Sequence, residues 1–351
     1  FQSHRDGFAV AFDRQEIERR VDAMRNPAVS DAQLRQHFEL EDNRDWQLER
    51  AREQMRAVPD PYAPVVECLY RPLDRRWCYY DAAAMDRPRR EILEHVAGRA
   101  NLCLNTVRQT RKQAWRHALA SDCPAAAVYV ELKDGSNLFP LYLYDGRANG
   151  HLFYENGREI ADVNFAPAFL QAAASALGLK FHRGSSKPPA RSFTAEQLFA
   201  YIYAVLNTPS FAARYGEHLR RGWPRVPLTS DVTLFRKLGR LGERLIACHL
   251  LREVEFGASF PATGDRKVRR AAFEDRRVWI NEQQYFAGVA PEIWGAELGG
   301  YAPAQQWLKD RLGAVLDFDA VNGYRRIIGA LQASLRLELA LDAAIPRWPL
   351  P

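Results

Sequence analysis

Five blocks that combine aromatic rings with guanidinium or amide groups constrain this chain more than any other sequence feature. In chain order they are YRPLDRRWCYYD (70–81), LFPLYLYD (138–145), WPRVPL (223–228), WINEQQYF (279–286) and GGYAPAQQWLKDR (299–311). Rigid aromatic rings anchor a core, whereas arginine and amide side chains hold a polyanion and read chemical groups along it. None of the blocks is a catalytic motif. They therefore predict a folded chain with a polyanion-binding surface.

Composition excludes several classes of protein. With 351 residues, 47% of them hydrophobic and 26% charged, the chain is long enough for one large domain or two lobes. There is no run of about 18 apolar residues and no export signal, so we expect no membrane segment and a cytoplasmic location. The five cysteines are widely spaced without a Cys-x-x-Cys pair, which predicts reduced thiols and no metal site.

The distribution of charge indicates more than its total. A net charge of +6 favours nucleic acid only weakly. However, residues 96–121 and 163–195 contain no acidic residue while each carries several basic ones, and six basic side chains crowd 266–277. If these three stretches share one face, they would neutralise several phosphates. The alternative is that they are solvated arginines dispersed over the surface.

Hydrophobic periodicity predicts an α+β fold in three parts. These are a helical connector at 1–60, a mixed β-rich lobe at 61–190 and a mostly helical lobe at 191–351 with a hairpin-like insertion at about 254–280. Capping residues predict helix starts at Asp13 and Thr194. Strands are predicted at 65–70, 77–80, 102–108, 126–132 and 139–144, with a turn at Asp134-Gly135.

The first block offers the sharpest hypothesis for contact with DNA. Asp74 can orient a neighbouring guanidinium, so that Arg75 or Arg76 reaches a phosphate or the O6/N7 edge of guanine. We favour DNA contact for Arg75 and Arg76. For Arg71 and Asp74 we favour a structural ion pair at the start of a strand.

The segment NTVRQTRKQ (105–113) follows a predicted strand and contains no acid. Its side chains are those that read base edges, and we select Arg108, Gln109, Arg111 and Lys112 as candidates. If the strand continued, alternation would send Arg108 to one face and Gln109 to the other. The alternative is a polar strand edge kept soluble by charge.

Other candidates are more dispersed. They are basic or amide side chains near the remaining blocks and loops, namely Lys187, Arg225, Arg269, Arg270, Asn281, Gln283 and Lys309. Gly299-Gly300 could bring backbone close to a phosphate. In the last two blocks a structural role is favoured, because the aromatic residues are spaced like core anchors. For Arg225 the alternative is that it braces the two lobes.

Enzymatic interpretations find little support. There is no Gly-x-Ser-x-Gly elbow, His-Glu-x-x-His helix, phosphate-binding loop or Asn-Pro-Pro-aromatic signature. Glu131 and Lys133, beside Asp134, have the Glu-x-Lys spacing of metal-dependent nucleases, but this spacing arises often by chance. A nuclease at this position and a non-catalytic scaffold domain are the two alternatives to DNA recognition.

The order of the five blocks, together with SHRDGFAVAFDRQEIERRV (3–21), resembles the C-terminal target-recognition region of type ISP restriction-modification enzymes. The resemblance implies a non-catalytic specificity domain that binds a short asymmetric duplex site. It also implies an upstream adenine methyltransferase in the same polypeptide, in which an adenine is flipped and modified, and translocation-coupled cleavage of DNA by upstream domains. S-adenosylmethionine, ATP and magnesium would belong to upstream domains, with no cofactor in this chain. We expect a monomer.

Overall fold

The N-terminal part combines short helices with a three-stranded antiparallel sheet in a computed structural model that describes residues 1–144, 154–155, 158–159, 161–184 and 189–351. Its elements are α1 (Asp6–Ala9), β1 (Val10–Ala11), α2 (Arg14–Arg25), α3 (Asp31–Phe38), α4 (Leu48–Ala57), β2 (Val65–Arg71) and β3 (Asp74–Tyr79). The predicted start of α2 is confirmed, because the Asp13 carboxylate accepts a hydrogen bond from the Glu16 amide. In the sheet β3 lies between β1 and β2.

A second three-stranded sheet carries the loops of greatest functional interest. After α5 (Arg90–Leu93), the antiparallel strands β4 (Cys103–Thr106), β5 (Ala118–Ser121) and β6 (Asn137–Pro140) pair with β4 in the centre. Smaller pairs follow, formed by β7 (Tyr142–Leu143) with β10 (Asp162–Val163), by β8 (Tyr154–Glu155) with β9 (Arg158–Glu159), and by β11 (Lys180–Phe181) with β12 (Ser192–Phe193).

The predicted strand at 126–132 is wrong. Its apolar side chains are buried, including Tyr129 and Val130, but the segment forms turns rather than a ladder. A single parallel bridge joins Ala125 to Leu69. A short apolar run satisfies either a strand or a buried turn, so periodicity alone did not separate the two. The expected turn residue Gly135 has a φ of +76° and precedes β6.

Helices dominate the C-terminal part. They are α6 (Pro167–Leu177), α7 (Ala195–Leu206), α8 (Pro209–Arg221), α9 (Val232–His249), α10 (Pro291–Trp294), α11 (Pro303–Lys309) and α12 (Phe318–Ala344). The capping box predicted at Thr194 and Gln197 is present. Gly242 allows α9 to approach α7 closely, because a Cβ there would lie 2.0 Å from the Ala200 carbonyl oxygen.

The 254–280 insertion contains a hairpin of β13 (Ala272–Glu274) and β14 (Arg277–Trp279), to which β15 (Tyr285–Ala287) adds a third antiparallel strand. Asp275 and Arg276 form its turn with φ of 49° and 59°. The fold is thus a mixture of helices and small sheets, and the predicted α+β class is confirmed. Among the described residues, no helix is both long and apolar enough to cross a lipid bilayer.

Two buried apolar clusters hold these elements. One gathers residues between Phe1 and Cys103 together with Ala126, and the larger one extends from Leu69 to Ala344. The second sheet contributes mainly to the larger cluster, which brings its loops next to the helices. The boundaries expected at residues 60 and 190 stay a prediction.

Candidate nucleic-acid interface

The loop between β4 and β5 presents four of the predicted reading residues together. Strand β4 ends at Thr106, so the face alternation considered for this segment is wrong. Arg108, Gln109, Arg111 and Lys112 are all exposed. Val107, Thr110 and Trp115 are buried and anchor the loop to the body of the protein. The loop therefore directs its long polar side chains outward from buried anchors.

A buried polar cluster lies beneath this loop. The His117 Nδ1 accepts a hydrogen bond from the Arg116 amide, which assigns the ring proton to Nε2. Nε2 lies 3.4 Å from both Thr110 Oγ1 and Glu131 Oε2. Burial lowers the pKa of His117 below its ordinary value, against the opposing effect of the Glu131 carboxylate. The neutral ring thus connects the loop to the 131–134 turn.

This placement leaves Glu131 poorly suited to nuclease chemistry. Its carboxylate is buried against His117 and accepts a hydrogen bond from the Leu132 amide at 3.0 Å. Within the described parts of the chain, no group of three or more His, Cys, Asp or Glu side chains is arranged to hold a metal ion. The Glu131 carboxylate instead holds the 131–134 turn against His117.

Helix α8 is joined to the same loop. The Thr110 amide donates to the Arg220 carbonyl at 3.1 Å, and the Arg220 guanidinium donates to the Gln113 carbonyl at 3.2 Å. From residue 218 to residue 230 the sequence contains no acid. Arg225, between two prolines, is exposed in this stretch. We call Arg108, Gln109, Arg111, Lys112, Arg220 and Arg225 the loop–helix surface.

Several cations of this surface are available to an external anion. Among the residues that the structure describes, the side chains of Arg108, Lys112 and Arg225 take part in no hydrogen bond or ion pair. Arg111 lies 3.8 Å from the Asp134 carboxylate, but its side chain is 81% exposed. Cations without an internal carboxylate are the ones that can neutralise phosphate.

An open groove of about 830 Å³ borders the surface between α8 and residues 222–227. Trp223 lines it and contacts the Phe139 ring edge to face, with ring centroids 5.4 Å apart. Phe139 belongs to β6, where Asn137 and Phe139 point outward. Trp223 thus lies between the groove and the outward face of β6.

A family model for the Type ISP C-terminal specificity domain matches residues 1–329. The chain belongs to this family. The resemblance drawn from the aromatic and arginine blocks is therefore confirmed. No curated protein matches the chain.

Three solved structures share the fold of this specificity domain. The ATP-dependent Type ISP restriction-modification enzyme LlaBIII bound to DNA has a TM-score of 0.69 at 15% identity, covering 100% of this chain and 23% of that chain. The cryo-EM structure of the DrdV–DNA complex has a TM-score of 0.68 at 16% sequence identity, and the match covers 97% of this chain and 35% of that chain. A nuclease-deletion mutant of the Type ISP restriction-modification enzyme LlaGI in complex with a DNA substrate mimic has a TM-score of 0.66 at 14% sequence identity. The match covers 100% of this chain and 27% of that chain. The specificity domain spans about a third or less of each.

Arg75 and Arg76 form ion pairs with carboxylates of the specificity domain itself. Arg75 pairs with Asp122 at 2.7 Å and with Glu67 at 3.0 Å. Arg76 is buried and pairs with Asp74 at 2.6 Å and Asp310 at 2.5 Å. The preference for DNA contact at these two positions is not supported by this geometry, because their guanidinium groups already have anionic partners.

Asn281 is also internal. Its buried amide donates to the Lys267 carbonyl at 3.1 Å, and its oxygen accepts from the amides of Gln283 and Gln284. It therefore shapes the turn between β14 and β15 rather than reading a base.

The remaining candidates divide between exposed positions and partial partners. Gln283 and Lys309 are exposed, whereas Arg269 pairs with Asp265 and Arg270 lies over the Trp279 ring at 5.6 Å. In the described part of the chain, the contacts of Arg269, Arg270 and Gln283 lie within residues 265–284. Lys187 lies outside the described residues.

The Gly299-Gly300 pair serves internal packing. The Gly299 amide donates to the Arg116 carbonyl and the Gly300 amide to the Val130 carbonyl, each at 2.8 Å. The alternative role in phosphate contact is not supported by this geometry, because both amides already have internal acceptors. The glycines let this segment pass against the backbone that supports the loop between β4 and β5.

Sequence reasoning missed four residues that border the candidate surface. Arg220 and Arg221 end α8, and Asn137 and Phe139 lie on the outward face of β6. The missing acid at 218–230 was the available signal for α8. Nothing in the local sequence indicated that β6 would lie next to Trp223.

Proposed function

We propose that this specificity domain binds double-stranded DNA and recognises a short target sequence through the loop–helix surface. The observation that carries the proposal is the cluster of exposed Arg108, Arg111 and Lys112 on a loop bonded to α8, of which Arg108 and Lys112 have no internal partner in the described structure. Arg225, in the segment that follows α8, is likewise exposed and unpaired in the described structure. Such cations bind phosphate and position the protein on the duplex.

The same surface carries groups that distinguish bases. An arginine can donate two hydrogen bonds to guanine, and a glutamine can pair with the N6/N7 edge of adenine. Arg108 and Gln109 are adjacent and exposed, and buried Val107 and Thr110 hold the loop on both sides of them. We infer that Arg108 and Gln109 read base edges while Lys112 and Arg225 contact phosphates.

The larger enzyme belongs to the same proposal. LlaBIII and LlaGI are Type ISP enzymes studied with DNA or a DNA mimic, and they support a role for this chain within such an enzyme. We infer an upstream methyltransferase domain in the same polypeptide that modifies one adenine, with S-adenosylmethionine, ATP and magnesium bound upstream. This chain itself would be monomeric, non-catalytic and cytoplasmic.

Selection from a randomised duplex library tests the proposal. The 351-residue chain is expected to enrich one short asymmetric motif, and its affinity for that motif should fall steeply as salt rises. The variant R108A/Q109A should lose the enrichment while it still binds duplex weakly. If the wild-type chain enriches no motif, or binds no better than an unrelated basic protein, the proposal is overturned.

A further inference from the structure

The groove beside α8 combines an apolar floor with a cationic rim. Phe211, Leu219 and Val226 contribute to the floor. His218, Arg221 and Arg225 line the rim and are exposed. Arg221 also pairs with Glu217 at 3.1 Å on the open surface, which leaves Arg225 as the unpaired rim arginine in the described structure. A ligand with a flat apolar part and an anionic part complements such a groove.

Trp223 is the feature that identifies the ligand. Trp223 is 44% exposed, and the following Pro224 restricts its backbone. Phe139 contacts the indole at an interplanar angle of 84°, so the ring has a defined orientation without being covered. An oriented, exposed indole offers a stacking platform for a nucleobase.

The groove can accept a base only when that base is unpaired. In an intact duplex the faces of each base are covered by its neighbours, and access requires extrusion of the nucleotide. A volume of about 830 Å³ lies within the range of small-molecule sites. Arg220, which is bonded to the loop between β4 and β5, is followed along the chain by the rim residues Arg221 and Arg225, so a strand held at the loop–helix surface lies next to the groove.

We propose that this groove binds an unpaired nucleotide of the bound DNA, with the base stacked on Trp223 and its phosphate near Arg225. The inference rests on the proposed function, because a duplex at the loop–helix surface delivers the strand. The ligand class is an extrahelical or single-stranded nucleotide, recognised by its aromatic face rather than by its base identity.

Two otherwise identical duplexes test this inference, one fully paired and one with a single unpaired 2-aminopurine. The wild-type 351-residue chain should bind the bulged duplex about tenfold more tightly, the size of one base–aromatic stacking contact, and should quench the 2-aminopurine fluorescence. Trp223→Ala should bring the affinity ratio close to one and remove the quenching. Trp223→Phe should retain most of both effects, because it keeps an aromatic face.

Phe318→Ala is the matched control, since Phe318 is 71% exposed at the start of α12 and does not line the groove. It should keep the wild-type ratio. A wild-type ratio of one, as expected if the groove takes an apolar protein segment instead, overturns the inference, as does a preference that persists in Trp223→Ala. Tight, salt-dependent binding of the paired duplex without a bulge preference refutes this inference alone. Failure to bind either duplex refutes the proposed function as well.

Discussion

The Arg311 guanidinium, just after α11, donates a hydrogen bond of 3.0 Å to the Asp74 carboxylate at the start of β3, and both side chains are buried. The second oxygen of Asp74 accepts from Arg76, which also reaches Asp310 at 2.5 Å. The Phe12 ring lies against both guanidinium groups, 4.2 Å from Arg311 and 4.6 Å from Arg76. This network fastens the N-terminal sheet to the C-terminal helices.

Replacing Asp74 by alanine should be strongly destabilising. The change leaves Arg311 buried without its carboxylate partner and removes one of the two carboxylate partners of Arg76. Breaking a buried pair from one side typically costs about 3–5 kcal/mol, because the remaining charge is uncompensated. Urea unfolding of the variant measures the loss.

Asp162→Ala provides the control for that measurement. Asp162 pairs with Arg183 at 3.3 Å, but both side chains are mostly exposed. An exposed pair contributes roughly 0–1 kcal/mol, so the control should unfold close to the wild type. Equal losses in the two variants would show that the buried network has no special role in stability.

This network also shows where sequence reasoning succeeds and where it ends. The Asp74 carboxylate was correctly expected to orient a neighbouring guanidinium within its own block. The partners Asp310 and Arg311 lie in another block, and no local pattern indicates a contact over that separation. The same residue types suit a DNA contact or an internal ion pair. The sequence therefore could not distinguish these two roles for Arg76, whereas the fold shows the internal ion pair.

Features set by residues close in sequence were predicted more accurately than features that depend on long-range pairing. Capping residues located the starts of α2 and α7, since a cap is a contact between residues three apart. The loop between β4 and β5 was selected because it lacks acids, and the structure shows Arg108, Gln109, Arg111 and Lys112 exposed there. Contact of this loop with DNA stays a prediction. Strand β5 was missed, because ALAS alone carries no alternation and its position depends on pairing with β4.

Gly299→Ala should destabilise the protein more than Gly313→Ala. Both glycines have positive φ, +59° and +85°, so an alanine is strained at either position by roughly 1–2 kcal/mol. A Cβ at Gly299 would lie 2.2 Å from the Val130 carbonyl oxygen, whereas at Gly313 nothing lies within 4 Å. The clash should add about 1–3 kcal/mol, measurable as a difference in the free energy of unfolding.

A difference near zero between these two glycine variants would contradict the close packing of residues 299–300 on the turn that carries Glu131. The comparison is informative because backbone strain is common to both positions, so only the neighbouring carbonyl distinguishes them. Circular dichroism of the folded variants checks that neither substitution changes the secondary structure.

Stability should fall as pH falls from about 6.5 to 4, partly through His249. Complete burial lowers the pKa of His249 from 6.5 to about 4, and its Nδ1 accepts the Tyr203 hydroxyl. The folded pKa is below the unfolded one, so the unfolded chain binds more protons in this window and folding loses free energy there. At about 1.4 kcal/mol per unit, the loss over the window is roughly 3 kcal/mol.

His249→Asn should reduce this pH dependence, because the asparagine oxygen can accept the Tyr203 hydroxyl without titrating. The quantity to compare is the change in unfolding free energy between neutral and mildly acidic pH, not the absolute stability. His117 contributes with the same sign, since burial lowers its pKa too, so some dependence should remain. A variant with the full wild-type dependence would show that His249 is not the group that takes up the proton.

Arg108→Ala combined with Lys112→Ala should reduce the salt dependence of duplex binding. Each cation that neutralises a phosphate contributes about 0.9 to the slope of log affinity against log salt, so the double variant should lose nearly two units. Fluorescence anisotropy across a salt series measures the slope. Because both side chains are exposed without an internal partner in the described structure, the free energy of unfolding should change little.

The control removes the same charge from the N-terminal helices, through Arg19→Ala combined with Arg50→Ala on α2 and α4. These side chains are exposed and far in sequence from the loop between β4 and β5. Net charge alone would lower the affinity of both double variants equally, since long-range attraction depends on the total. A larger loss of slope from the loop than from the helices therefore locates phosphate contact at the loop, and equal losses would refute that location.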